Sequence, residues 1–277
     1  MATPDLKKIE IGGGRVVSYR EAGEGTPLVI LHGLGGRSES WAPQYEDLSN
    51  RWRVIGWDAP GYGESSEMPA DDPDIAAYMG VAKDFTDALG LEEFHLMGHS
   101  VGTCIAAAFH KNYGDQLLSL TLAEAVIGNG ADPKDKQEAA IAARIRDLKE
   151  VGPEKMAETR TPKSLSPNAD PAAVAAAVEF AKGMQVPGYT KLFKALVRCN
   201  IFDFTCPLEC PGLIVAGSDD SSAPREQVAE IAAAYPDIDH RIIDGIGHQI
   251  AFEKPEIFVG MLREFLSGVE DAARAAE

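Results

Sequence analysis

No stretch of this chain approaches the roughly 18 consecutive apolar residues that crossing a bilayer requires, so no membrane span is expected. Residues 1–10 are polar, without the apolar core of a secretory leader, and a cytoplasmic setting is expected. Cysteine is scarce: Cys104, Cys199, Cys206 and Cys210 are the four in 277 residues, which does not suggest a disulfide framework. Cys206 and Cys210 each precede a proline, and no Cys or His pair near them in sequence completes a metal site. Reduced structural thiols are therefore expected, with no metal. Basic residues are the minority, 26 Lys and Arg against 43 Asp and Glu, for a net charge of −17. That balance argues against nucleic acid or an anionic membrane surface as a partner and is read as serving solubility. No internal repeat occurs, and alanine enrichment is confined to Ala172–Ala177 and the C-terminus, whose last half-dozen residues are expected to fray.

What the chain does have is an alternation of short apolar runs with helical patterns, the signature of a mostly parallel sheet covered by helices on both faces. Residues 8–11 and 16–20, parted by Gly12-Gly13-Gly14, read as an opening hairpin. Strands follow at Pro27–His32, Trp52–Asp58, Phe94–Gly98, Leu117–Leu122, Gly212–Ala216 and His240–Asp244. Helices are expected over Ile75–Leu89, Val101–Phe109, Pro224–Ala234 and Pro255 to about Val269. Between Glu124 and Gly212 no strand pattern appears. Helical apolar spacing recurs instead, at Ile141, Ile145 and Leu148 within 133–151, at Val174, Val178 and Ala181 within 171–184, and at Leu192, Phe193 and Leu196 within 189–198. An insertion with its own helices is not a loose loop. The organisation expected is a core of residues 1–125 and 206–277, with residues 126–205 as a helical cap over the carboxyl edge of the sheet, where open α/β sheets bind ligands.

Gly98-His99-Ser100-Val101-Gly102 is a G-x-S-x-G pentapeptide placed between a strand pattern and a small-residue helix pattern. In that setting it reads as a nucleophile elbow, with Ser100 at the tip of a sharp turn. A serine hydroxyl needs an adjacent base, and the base needs a third group to fix its tautomer. Of the six histidines, His95, His110 and His240 fall in strand or helix patterns, and the ring of His99 is expected to point away from the hydroxyl. His248 lies in the loop Gly245-Ile246-Gly247-His248, after a strand and at the same sheet edge as the elbow, and is the expected base. The acid is expected at Asp220, in Gly217-Ser218-Asp219-Asp220 after the preceding strand, with Asp219 and Glu124 as alternatives. Two N–H donors must meet the charge that develops on an attacked carbonyl oxygen. Val101, following the nucleophile, and Leu34, in His32-Gly33-Leu34-Gly35-Gly36, are placed to supply them.

These motifs, with Asp58-Ala59-Pro60-Gly61-Tyr62-Gly63-Glu64-Ser65 and the closing Glu253-x-Pro255, stand in one order along nearly the whole chain. In that order they resemble the α/β-hydrolase fold superfamily. The resemblance implies Ser100, Asp220 and His248 as the catalytic triad, Leu34 and Val101 as the oxyanion hole, and acyl transfer without a cofactor. Serine at the elbow sets the chain apart from members that use aspartate there, the epoxide hydrolases and haloalkane dehalogenases. Within the superfamily the chain is most similar to the group of 3-oxoadipate enol-lactonase and small carboxylesterases, which implies a small-molecule ester or lactone substrate. The alternatives are the C–C hydrolases of vinylogous diketones, which often carry tryptophan where this chain has Gln249, a weakly catalytic receptor for a small ligand, and oxidative use of the same site. Trp41, Met156, Phe180, Met184, Tyr189 and Phe193 are the apolar residues expected to line the substrate pocket. Arg160 and Arg198 are the cations expected to meet any substrate carboxylate, with a solvated surface position as the alternative for both. A homodimer is the expectation for assembly, without a residue to carry it.

Overall fold

Runs such as Leu28-Val29-Ile30-Leu31 and Val54-Ile55-Gly56-Trp57 carry no polar face, so they are stable only as strands covered on both sides. The computed structural model, which describes residues 3–276, places them so. Met1, Ala2 and Glu277, on which parts of the leader and fraying expectations fall, lie outside the described residues. The strands are β1 (Lys7–Glu10), β2 (Val16–Ala22), β3 (Thr26–Leu31), β4 (Trp52–Trp57), β5 (Phe94–His99), β6 (Leu117–Ala123), β7 (Gly212–Gly217) and β8 (Asp239–Ile243). They form one sheet in the order β1-β2-β4-β3-β5-β6-β7-β8. The pairs β1–β2 and β2–β4 are antiparallel, and the rest of the sheet is parallel.

Because successive side chains on a strand point to opposite faces, the sheet divides the core in two. Val29, Leu31, Ile55, Leu96, Leu120 and Leu122 pack with Phe85 and Phe109 on one face. Leu28, Ile30, Val54, Met97, Leu213 and Val215 pack with Leu48, Phe258, Leu262 and Leu266 on the other. The helices that supply these layers are α1 (Ala42–Leu48), α2 (Ile75–Ala88) and α3 (Val101–Tyr113), then, after the sixth strand, α4 (Lys134–Ser164), α5 (Pro171–Lys182) and α6 (Val186–Arg198). The chain finishes through α7 (Arg225–Ala233), the single turn α8 (Ile250–Glu253) and α9 (Pro255–Ala276). Asp74 caps α2, its side chain accepting from the Ala77 N–H at 2.8 Å. No helix among the described residues is long and apolar enough to cross a membrane.

Three helices run further than their sequence patterns suggest, α3 by one turn past Phe109 to Tyr113. The closing helix was expected to end near Val269 but continues to Ala276, through an alanine-rich segment that favours helix without burying a face. The helix expected to stop at Val151 breaks there, at Gly152 (φ 79°, ψ 166°) and Pro153, and a second helical piece follows to Ser164. That piece buries only Met156 and Ala157, too thin an apolar stripe to read as a helix from periodicity. Together α4, α5 and α6 fill the interval between β6 and β7, with α4 packed against both of the others.

Candidate active site

Sharp strand-to-helix turns need residues without bulk on both sides, and the turn between β5 and α3 makes that need explicit. A Cβ on Gly98 would stand 2.3 Å from the Gly102 carbonyl oxygen, and one on Gly102 would stand 2.3 Å from that of Leu31. Ser100 between them has φ 54° and ψ −123°, a conformation that L residues seldom adopt. Such a backbone costs about 1–3 kcal/mol and persists only where its surroundings over-determine it. Here the Ser100 N–H donates to the Ala123 carbonyl at 3.0 Å, which ties the turn to the end of β6.

The loops after β7 and β8 bring the other two expected residues to this serine. The Ser100 hydroxyl lies 2.8 Å from His248 Nε2, and His248 Nδ1 lies 2.7 Å from Asp220 Oδ2. The other Asp220 oxygen accepts from the Ser222 and Ala223 N–H groups, each at 2.8 Å, so its orientation is fixed. With Nδ1 donating to the carboxylate, Nε2 is left to accept the serine proton. Asp219, the neighbouring alternative, instead meets Ser166 Oγ at 3.1 Å and Ser218 Oγ at 3.0 Å. Burial opposes a charged imidazole, but the hydrogen bond and charge of Asp220, with the charge of Glu124 behind them, raise the His248 pKa above its ordinary value. Burial likewise works against the Asp220 carboxylate, and the hydrogen bond and charge of His248 with two backbone N–H groups hold its pKa below the usual range.

The His248 loop is anchored from behind. Its N–H donates to the Ser164 carbonyl at 2.6 Å. Glu253 spans the same seam, accepting from the Gly247 N–H at 2.9 Å and from the Ser166 N–H at 3.0 Å. Burial pushes the Glu253 pKa up, against those hydrogen bonds.

Glu124, the second alternative acid, serves a different histidine. The β5–β6 register sets His99 beside Ala123, and His99 Nε2 meets Glu124 Oε2 at 2.5 Å. The other Glu124 oxygen accepts from the Ile250 N–H at 2.9 Å, and the residue itself is fully buried with φ 53°. His99 makes no bond to the serine hydroxyl among the described contacts, as expected, yet its ring lies 5.5 Å from that of His248 and lines the cavity beside Ser100. Sequence reasoning missed this pair, and only the strand register could have suggested it.

Val101 is the first residue of α3, so its N–H belongs to the helix terminus beside Ser100. Leu34 follows β3 and lines the same cavity as Ser100 and His248. Its loop is held by His32, whose Nε2 accepts from the Ala59 N–H at 3.0 Å while Nδ1 meets the Gly33 carbonyl at 2.8 Å. Burial depresses the pKa of this imidazole to about 4, so it is neutral, with its proton on Nδ1.

A cavity of about 730 Å³ opens above Ser100 and His248. Met156, Met184, Tyr189, Phe193 and Arg160 line it. Trp41 does not. It is buried behind His99, ring centroids 5.9 Å apart, where it supports the wall. Phe180 faces the neighbouring smaller hollow and packs under the Arg37 guanidinium at 3.9 Å. Arg198 lies outside the cavity, paired with Asp72 and Glu138 across the molecular surface. Arg160 is in the cavity wall but is engaged by Asp147. Among the residues missed is Arg144, a cavity-lining cation one turn before Leu148 on α4, which no local motif marks.

The chain can now be set beside known proteins. It is 25% identical over 253 residues to the (E)-2-((N-methylformamido)methylene)succinate hydrolase of Acinetobacter baylyi, covering 90% of this chain and 94% of that one. Its structure is similar to that of a thermophilic esterase from Thermogutta terrifontis, at TM-score 0.83 and 25% identity over 96% of this chain and 99% of the other. It shares its fold with the enol-lactonase from Burkholderia xenovorans LB400, at TM-score 0.82 and 21% identity over 94% and 99%. Residues 26–255 match the family described by the alpha/beta hydrolase fold. The strand order, the elbow and this match agree, and the chain belongs to the alpha/beta hydrolase family.

Proposed function

We propose that the chain is a serine hydrolase that cleaves a carboxylic ester or lactone of a small organic molecule through an acyl-enzyme on Ser100. The single observation that carries this reading is the unbroken hydrogen-bonded sequence from the Ser100 hydroxyl through His248 to Asp220 at the floor of the cavity. Ser100 Oγ attacks the carbonyl carbon as its proton passes to His248 Nε2. The N–H groups of Leu34 and Val101 receive the oxyanion. When the ester C–O bond breaks, His248 returns the proton to the leaving oxygen, and in a lactone that oxygen stays tethered to the acyl chain. Water then repeats the sequence on the acyl-enzyme, giving its proton to His248 and releasing Ser100. Asp220 holds the imidazole in the accepting tautomer and offsets the charge it gains. Residues 126–205 act as a cap, closing the space above the serine and choosing the acyl group.

The similarity to an esterase and to a hydrolase of a substituted succinate supports hydrolytic chemistry at this site. A fluorophosphonate probe, followed by mass analysis of peptides, is expected to label Ser100 alone. A panel of aryl esters, lactones and vinylogous diketones then identifies the bond. Turnover of the diketones with none of the esters or lactones would overturn the ester reading, and labelling elsewhere would overturn the site.

A further inference from the structure

The cavity runs against the charge of the molecule that contains it. The chain has 43 acidic and 26 basic residues. Its cavity wall nevertheless holds three cations, Arg144, Arg160 and Lys163, and one carboxylate, Asp147. Asp147 is committed to Arg160. No carboxylate among the described residues pairs with Arg144 or Lys163, although the other basic residues of this segment with recorded pairs reach Glu or Asp on the outer surface. Lys163 is exposed at the rim, whereas Arg144 is half-buried in the wall.

Arg144 is also held in place. Its guanidinium lies 4.3 Å from the centre of the Phe193 ring and 5.9 Å from that of Tyr189. The two rings stack on each other at 6.3 Å and 7°. One Nη1 donates to the Tyr189 hydroxyl, and Tyr189 is itself buried. A guanidinium carries five N–H donors in a planar fork, so one bond to a tyrosine leaves donors to spare. The tyrosine oxygen accepts from Arg144, so its own proton remains available to the same ligand. Seating the cation on two rings in advance reduces the side-chain ordering that binding would otherwise cost. Met184 and Leu196 in the same wall are apolar and suit a hydrocarbon stem.

We infer that Arg144, seated on Phe193 and Tyr189, is a carboxylate-binding subsite of this cavity. The substrate is then an ester or lactone that carries a free carboxylate at a distance from the bond that is cleaved, such as a monoester of a dicarboxylic acid. A carboxylate matches the planar fork, with Tyr189 donating a further bond. The inference deepens the serine hydrolase reading, and the test separates the two.

Binding is measured without turnover by calorimetry of glutarate on the Ser100→Ala protein. Glutarate is expected to bind, and adding Arg144→Met is expected to weaken it about tenfold or more, the weight of hydrogen bonds to a charged group. Arg144→Lys should fall between the two, and propylphosphonate should bind more weakly than glutarate. Circular dichroism and melting curves establish that each variant is folded. Should Arg144→Met not fold, Tyr189→Phe, which keeps the ring and removes the hydroxyl, is expected to weaken glutarate less but measurably. Turnover is then compared between the mono-4-nitrophenyl ester of glutaric acid and 4-nitrophenyl pentanoate. The ratio of their kcat/KM values is expected to favour the acid and to fall toward unity in Arg144→Met. Absence of glutarate binding, binding indifferent to Arg144→Met and Tyr189→Phe, a ratio near unity in the unaltered protein, or tighter binding of the phosphonate would each overturn the subsite. Glutarate binding that depends on Arg144, without turnover of either ester or of any lactone in the panel, would support the subsite and overturn the ester or lactone hydrolase reading.

Discussion

The floor of the cavity and its helical roof are built by different means. On the floor Ser100, Asp220 and His248 are 7%, 3% and 6% exposed, and each is fixed by hydrogen bonds from the ends of neighbouring parallel strands. In the roof α5 buries a single residue, Ala177, and the Arg160–Asp147 pair is 47% and 34% exposed. Exposed ion pairs of that kind contribute about 0–1 kcal/mol. The floor therefore has one arrangement available to it, while α5 and the exposed face of the roof can change residues at small cost to stability. On the reading proposed above, the chemistry belongs to the over-determined floor and the selection of the acyl group to the roof.

The largest effect should come from breaking the floor chemically without disturbing it structurally. Ser100→Ala is expected to lower kcat by roughly 10⁶-fold while leaving the protein folded, since alanine keeps the Cβ and the backbone of the turn. Turnover retained in that variant would place the chemistry elsewhere. Asp220→Asn should cost about 10⁴-fold in kcat. Asp219→Asn, one residue away and bonded only to serine hydroxyls, should cost far less, and equal losses in steady-state assays would erase the distinction between them.

Gly98→Ala and Gly152→Ala set floor against roof through the same added methyl. At Gly98 it meets backbone oxygen at 2.3 Å, and a loss at or above the roughly 3 kcal/mol upper end of overpacking is expected in urea unfolding, together with loss of Ser100 labelling. At Gly152 it meets nothing within 4 Å, so only the backbone conformation resists it, at about 1–3 kcal/mol, with labelling retained.

The smallest effect is a shift in pH dependence. His248 must be neutral to accept a proton, and its pKa is raised, so kcat/KM should rise with pH through a midpoint above 6.5. The same raised pKa means that protonated His248 adds stability below its unfolded value, and that this is lost as pH climbs through the folded one. Glu124→Gln removes one of the charges that raise it, and the midpoint should fall by less than about one unit. An unmoved midpoint would confine Glu124 to holding His99 and the Ile250 N–H.

How much of this was legible in the sequence follows from the range of each signal. The elbow is written in five consecutive residues, because the steric demands of the turn are local. His248 and Asp220 could be placed by the strands they follow, and the choice between Asp219 and Asp220 turned on one residue of loop geometry. The His99–Glu124 pair was hidden because it depends on the register of β5 against β6, which no local pattern records. Residues 153–164 were hidden because their helix buries almost nothing. Arg144 was hidden for the opposite reason to Arg198. One turns into a cavity and the other onto the surface, and in sequence both are arginines on amphipathic helices.

The Glu253 carboxylate holds a main-chain N–H of the histidine loop with one oxygen and a main-chain N–H of the roof with the other. With the Ser164 carbonyl bound to the His248 N–H, this fastens the roof to His248 itself. A roof hinged along that line cannot lift there without dragging the imidazole off the serine. Displacement of the roof along this edge and retention of the His248–Ser100 hydrogen bond are thus mechanically exclusive.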